Sequence, residues 1–388
     1  MSKEYDFIII GAGIAGCSVA HFLSKYSDSI LLIDKNPEVG FGASGAAGAF
    51  LSPLLGKPNK FKDLVTNALK FSVSFYKENF PNEINNCGVV RIPKNEEDRE
   101  KFESYIPYMD FPFKEEGDGY FFEIGSHVNS QKICEQLAKD VEKLLDFEVY
   151  RLKKDEDFWL LNGNIKGKNI ILTIGADIEL IEEEYFNIRA VWGQKIDVFT
   201  STKVLKNYHK ACSISFSKYD EEKKKNIVSI GATHHRLECS VKDCNLCIKG
   251  VNINKLTSHN YSLERCENDT KELLDKANDI LKLEDVEVRS LKVGARASSV
   301  DYFPMVGKII DSEKTIEKYP HLKNGSHIKN NMLITKDNLY VINGVGGRGF
   351  VLSPYLANLL VENILNQKDI QEEILTHRLF KRWVKRNH

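Results

Sequence analysis

Gly11, Gly13, Gly16 and Asp34 carry the first recognisable chemistry in this 388-residue chain. They belong to Gly11-Ala12-Gly13-Ile14-Ala15-Gly16, which joins an isoleucine-rich run, Tyr5 to Ile10, to a helical pattern from Ile14 to Ser24. In such a turn the first glycine permits the tight reversal, and the second lets the backbone approach a pyrophosphate. The third lets helix and strand pack closely, and the helix N-terminus faces the phosphates. Asp34, followed by Lys35, ends the next strand, where a carboxylate accepts hydrogen bonds from ribose hydroxyls. That carboxylate argues against a 2′-phosphate and so against NADP, leaving NAD and FAD open.

Two later segments favour FAD. Ile170 to Gly175 reads as a strand ending at Thr173, with Gly175 giving a second close backbone approach, and Val149 belongs to the same expected site. Asn343-Gly344-Val345-Gly346-Gly347-Arg348-Gly349-Phe350 leads into another helix, whose free amides suit the electron-rich edge of an isoalloxazine ring. A glycine-rich helix start with a purely structural use is the plainer alternative.

Cys239, Cys244, Cys247 and Cys266 form the other chemically suggestive group. Four thiols could close on zinc or an iron–sulfur cluster, but the first reading is unligated thiols and no metal is assigned. Lys223-Lys224-Lys225 and a terminal cluster, Arg378, Lys381, Arg382, Lys385 and Arg386 with Trp383 interleaved, could meet nucleic-acid phosphates and stack a base. Solvated charge is the commoner use of such runs.

The elements that must position these groups follow from periodicity. Ser29 to Asp34, Gly88 to Ile92, Tyr120 to Ile124, Phe147 to Arg151, Phe158 to Leu161 and Leu339 to Ile342 read as strands. Helices are expected over about 61–79, over Ser130 to Leu145, near Asn268 to Leu281 and over Val351 to Leu365, with a charged helical tail. Nucleotide-binding signals at the beginning, middle and end imply an α/β fold: a Rossmann-like FAD-binding domain of glutathione-reductase type with an inserted mixed α+β substrate domain. The expected division is 1–85, 125–190 and 285–388 for the first, with 86–124 and 191–284 for the second.

A composition of 42% hydrophobic and 28% charged residues marks a globular chain, and a formal charge of −1 supplies no global field for a polyanion. No stretch reads as a signal peptide or a membrane span, so a cytoplasmic location is expected.

The N-terminal fingerprint, Gly42-Ala43-Ser44-Gly45, the strand ending at Gly175, Gly193-Gln194, Gly231-Ala232-Thr233, Gly294-Ala295-Arg296 and Gly344 to Gly349 resemble, in order, the D-amino-acid-oxidase superfamily. Within it, Gly42 to Leu55, Ile230 to Arg236, Gly294 to Gly307 and the terminal glycine–arginine stretch look most like the oxidoreductase half of the bifunctional MnmC tRNA-modifying family. The resemblance implies FAD-dependent removal of the carboxymethyl arm from 5-carboxymethylaminomethyl-(2-thio)uridine at the tRNA wobble position. The 5-aminomethyl nucleoside and glyoxylate would be formed, with molecular oxygen as electron acceptor. An FAD oxidase for a free small amine, such as glycine, sarcosine or a D-amino acid, is the alternative.

The resemblance also implies roles. Arg296 falls where the superfamily pairs an arginine with the substrate carboxylate, and Arg348 lies beside the expected ring; a forked guanidinium fixes angle as well as position. Gln194 could bond flavin or substrate, and His234 and His235 could border the pocket. Three departures stand out. The family's methyltransferase half is missing, so methylation would need a separate protein. Ala46-Ala47-Gly48 replaces the polar residues usual after Gly45, and Leu237 to Asn268 looks inserted.

Overall fold

In the computed structural model, which describes residues 3–236 and 261–387, alternation within Glu4–Ile10 decides the layering. Phe7 and Ile9 enter one apolar cluster, Ile8 and Ile10 another, because successive side chains of a strand point to opposite faces. This strand pairs in parallel with Ile30–Ile33 on one side and Ile165–Leu172 on the other. Glu142–Leu144 and Thr335–Asn343 extend the parallel run, and Met305–Ile310 closes it antiparallel. Ile14–Leu23, Lys60–Asn79, Ser130–Leu137 and Gly349–Asn366 supply helical residues to the first cluster, while Tyr185 and Phe380 pack in the second. The first strand thus has neighbours reached in opposite directions, and its carboxyl end is where a doubly wound sheet opens a ligand crevice.

A second sheet runs from Glu287–Ser299 through Ile188–Thr200, Lys225–Gly231, Ser213–Ile214, Asn207–His209, Val89–Arg91 and Gly119–Phe122 to Phe113–Glu116. One face carries Ile196, Val198 and Ile230, buried together with Leu273 and Ala277 of the helix Leu263–Asn278. Glu287–Ser299 pairs with Ile188–Thr200 from end to end. The sheet therefore continues past the boundary expected at residue 285, since these two strands bury each other's backbone groups. Among the described residues no helix is long and apolar enough to cross a membrane.

Two expected elements differ. The helix expected over Ser130 to Leu145 ends at Leu137, and Glu142–Leu144 leaves it to pair with Leu31–Ile33. Phe147 to Arg151 is not a strand: the amides of Tyr150 and Arg151 both donate to Asn162 Oδ1, at 3.1 and 3.2 Å. The strand forms one step later, at Leu152–Asp155, against Phe158–Leu161.

Candidate active site

Gly11 has φ +105°, and a β-carbon there would stand 2.4 Å from the Thr173 carbonyl oxygen, so only glycine lets these two strand ends meet. Thr173 Oγ1 locks the junction by donating to the Gly11 carbonyl at 2.7 Å. At Gly16 a β-carbon would fall 1.9 Å from the Gly11 oxygen, which lets the helix Ile14–Leu23 sit tight on its own turn. The Ile14 amide at that helix start donates to Ser44 Oγ at 2.9 Å, tying the distant 42–45 turn to the glycine loop. Asp34 accepts from the Ala12 amide at 2.5 Å and from the backbone and side chain of Asn36 at 2.8 Å each. Burial pushes its carboxyl up from the ordinary carboxylate range, and these hydrogen bonds oppose the shift.

These groups face a cavity of about 1160 Å³. Of the expected cofactor residues, Gly11, Gly13, Ile14, Ala15, Asp34, Lys35, Gly42, Ala43, Ser44, Val149, Thr173, Gly175, Gly346, Gly347, Arg348, Gly349 and Phe350 line it. Gly16 and Gly45 stand behind it as close-packing positions; a β-carbon on Gly45 would meet the Gly40 oxygen at 2.4 Å. Lys35 pairs with Asp177 at the Asp34 end. Asn343 Nδ2 donates to the Gly175 carbonyl at 2.8 Å, joining the second and third glycine segments. The site has a carboxylate at one end, two helix starts opening into it and two strand ends free of side-chain bulk. This arrangement fits an extended dinucleotide.

The second sheet roofs the other end. Cross-strand partners share a face, and the register runs Arg91 opposite His209, His209 opposite Ser213, and Ser213 opposite Gly231. Gly193 opposite Gly294 and Val191 opposite Arg296 also line the cavity. Arg296 Nη1 donates to the Thr233 carbonyl at 3.2 Å, and its guanidinium occupies the space left by Gly193. Burial lowers its pKa. Arg348 Nη1 reaches the Ser52 carbonyl at 3.4 Å, and burial brings this arginine down to about 10. Among the described residues neither has a carboxylate within ion-pair distance; their bonds go to neutral oxygens.

Arg91 was not anticipated. Its Nη1 donates to Ser52 Oγ at 3.1 Å and to the Pro53 carbonyl at 2.6 Å. Burial, then repulsion from Arg348, brings it down to about 9. Its signal in the sequence is only an arginine closing the short apolar run Val89–Val90, and strand pairing across 118 residues is what aims it inward. His209, also unanticipated, is held well below its ordinary pKa by burial and by Arg91 and Arg348.

Gln194 does not face the cavity. It lies one residue from Gly193 and so on the opposite face, where its amide donates to the Cys266 carbonyl and Thr270 Oγ1. His234 lines the cavity and is kept neutral, down to about 4, by burial and then by Arg296. His235 turns away, its Nε2 within 2.9 Å of both oxygens of buried Asp269. Cys239, Cys244 and Cys247 lie outside the described residues; Cys266 is buried in its helix, its thiol pushed up to about 11 by burial. In the terminal cluster, Arg378 makes a two-pronged bond to Asp301, 2.9 Å for each prong, and Trp383 packs toward Phe380 in the core. Lys385 and Arg386 remain exposed.

The sequence family described as "FAD dependent oxidoreductase" matches residues 6–363. A tRNA 5-methylaminomethyl-2-thiouridine biosynthesis bifunctional protein MnmC from Campylobacter fetus subsp. fetus is 24% identical over 95% of this chain. The protein of the same name from Campylobacter jejuni subsp. jejuni serotype O:2 is 26% identical over 97%. The chain spans 57% and 58% of those two relatives' own lengths. Among solved structures, glycine oxidase from Bacillus cereus superposes with a TM-score of 0.69 at 16% identity, covering 95% of this chain and 99% of that one. Iminodiacetate oxidase from Chelativorans sp. BNC1 gives 0.69 at 15% identity, covering 95% and 98%.

Proposed function

Because the chain belongs to the FAD-dependent oxidoreductase family, we propose that it removes the carboxymethyl group from 5-carboxymethylaminomethyl-(2-thio)uridine at the wobble position of tRNA. The 5-aminomethyl nucleoside and glyoxylate are the products. The observation that carries this reading is Arg296, a guanidinium with no described carboxylate partner, lying over Gly193 inside the cavity that the 344–349 glycine loop also lines. The similarity to proteins named for tRNA 5-methylaminomethyl-2-thiouridine biosynthesis supports tRNA as the substrate.

Bound FAD supplies acceptance of a hydride, which no side chain can provide. Gly11, Gly13 and Ser44 would face its pyrophosphate, Asp34 its ribose, and Gly346 to Gly349 its ring. Arg296 holds the arm's carboxylate and thereby aims the methylene between carboxylate and amine. The cationic, partly dehydrated roof disfavours an ammonium, so the arm's amine enters neutral with its lone pair free. His234, itself uncharged, lines the wall without adding a competing charge. Loss of the hydride leaves a carbon–nitrogen double bond, and water then cleaves it to the aminomethyl nucleoside and glyoxylate. Molecular oxygen is the proposed electron acceptor.

Mass spectrometry of wobble nucleosides from cells lacking the gene tests the reading. The carboxymethylaminomethyl form accumulates, and Arg296→Ala fails to clear it although the purified variant retains flavin. Unchanged nucleosides, with glyoxylate formed from free glycine by the purified protein, would replace the tRNA reading with that of a free-amine oxidase.

A further inference from the structure

Arg91 raises a question that the carboxylate anchor at Arg296 does not answer. Its strand and that of Arg296 are separated by four others in the sheet, so their backbones stand about 24 Å apart measured along it. Arg91 and Arg348 instead meet at one residue, Ser52, the first donating to its hydroxyl and the second to its carbonyl. Two like charges, each partly buried, have thus been brought side by side at the cavity wall. Their described partners are neutral oxygens, one of them at 3.4 Å, and Arg91 Nε is buried with no partner among the described residues. Across the strand, His209 Nδ1 is engaged with Ser213 Oγ at 2.7 Å, and the imidazole supplies no counter-charge.

A buried donor left unmade, and a buried charge left unpaired, each carry a desolvation penalty that an incoming acceptor would offset. Two guanidiniums offer planar forks suited to the oxygens of a carboxylate or phosphate. We propose that Arg91 and Arg348 form a second oxyanion subsite, so that the substrate is held at two anionic groups: one carboxylate at Arg296 and a further carboxylate or a phosphate at Arg91 and Arg348. The assignment of the first group rests on the function proposed above; the existence of the second rests on Arg91 itself. A phosphate would come from the nucleotide that carries the arm, a second carboxylate from a diacid amine.

Calorimetric titration of the flavin-loaded protein at fixed ionic strength separates these sources with inert probes. Diglycolate is compared with methoxyacetate, which lacks the second carboxylate, and uridine 5′-monophosphate is compared with uridine. In at least one pair the extra oxyanion tightens binding tenfold or more, and the pair that responds names the source. Arg91→Met brings that affinity ratio down to about one, and Arg91→Lys restores part of it. No tightening in either pair with the wild-type protein overturns the proposal without recourse to any variant, as does a ratio that survives Arg91→Met. Arg296→Met tests the other anchor separately: if methoxyacetate binding ignores it, the carboxylate assignment of the proposed function fails while the Arg91 ratio still reads the second subsite.

Discussion

The guanidinium of Arg296 lies over Gly193, where a β-carbon would come within 2.7 Å of Nη2 and 2.2 Å of the Thr233 carbonyl oxygen. The absence of a side chain on one strand therefore sets the direction of an arginine on the next. Gly193→Ala is expected to displace Arg296 and lower kcat/KM by about 10- to 100-fold, the equivalent of one charge-assisted hydrogen bond. Visible absorbance should show flavin still bound, since Gly193 stands at the roof. Full activity in this variant would remove Arg296 from the role given to it.

Asp269 anchors Thr233, the residue that bears this carbonyl, through its hydroxyl. It accepts from Thr233 Oγ1 at 2.7 Å and from the Tyr261 hydroxyl, beside His235. Asp269→Ala leaves these buried groups without their acceptor, and urea unfolding should report a loss of roughly 2–4 kcal/mol. Asp269→Asn, which keeps an acceptor oxygen, should lose less.

Gly11→Ala tests the nucleotide end. Its φ of +105° and the 2.4 Å approach to Thr173 leave no room for a methyl group, so the two strand ends must separate. The purified variant should carry less than a tenth of the wild-type flavin by absorbance. Stoichiometric flavin would show that this turn does not form the cradle.

His21 predicts a pH dependence. Its ring meets Phe22, Phe75 and Phe80 edge-on, its Nε2 is buried without a partner among the described residues, and burial holds it down to about 4 from an ordinary 6.5. The folded form needs the neutral ring, so the unfolded chain takes up the proton first as pH falls. The contribution to stability is intact above pH 6.5, is lost progressively down to about 4, and changes no further below. His21→Leu should remove about 1–2 kcal/mol of that loss, read from urea melts at pH 7 and pH 4.5, after allowance for partial solvent screening. Equal slopes for the two proteins would contradict it.

Local covalent geometry made one end of the site readable without a structure. A glycine that must adopt positive φ, a helix start and a carboxylate at a strand end are set within a few residues of chain, so Gly11 to Gly16 and Asp34 declare themselves. The family resemblance added Arg296 and Arg348. Long-range pairing decided the rest. Glu142–Leu144 abandons an amphipathic helical pattern for hydrogen bonds with Leu31–Ile33, and Gln194 leaves the site because strand parity turns it from the face used by Gly193. Arg91 and His209 become neighbours over the cavity only because their two strands align in register. Side-chain direction in a sheet is fixed by which strands pair and how, a property shared between distant segments and absent from either one alone.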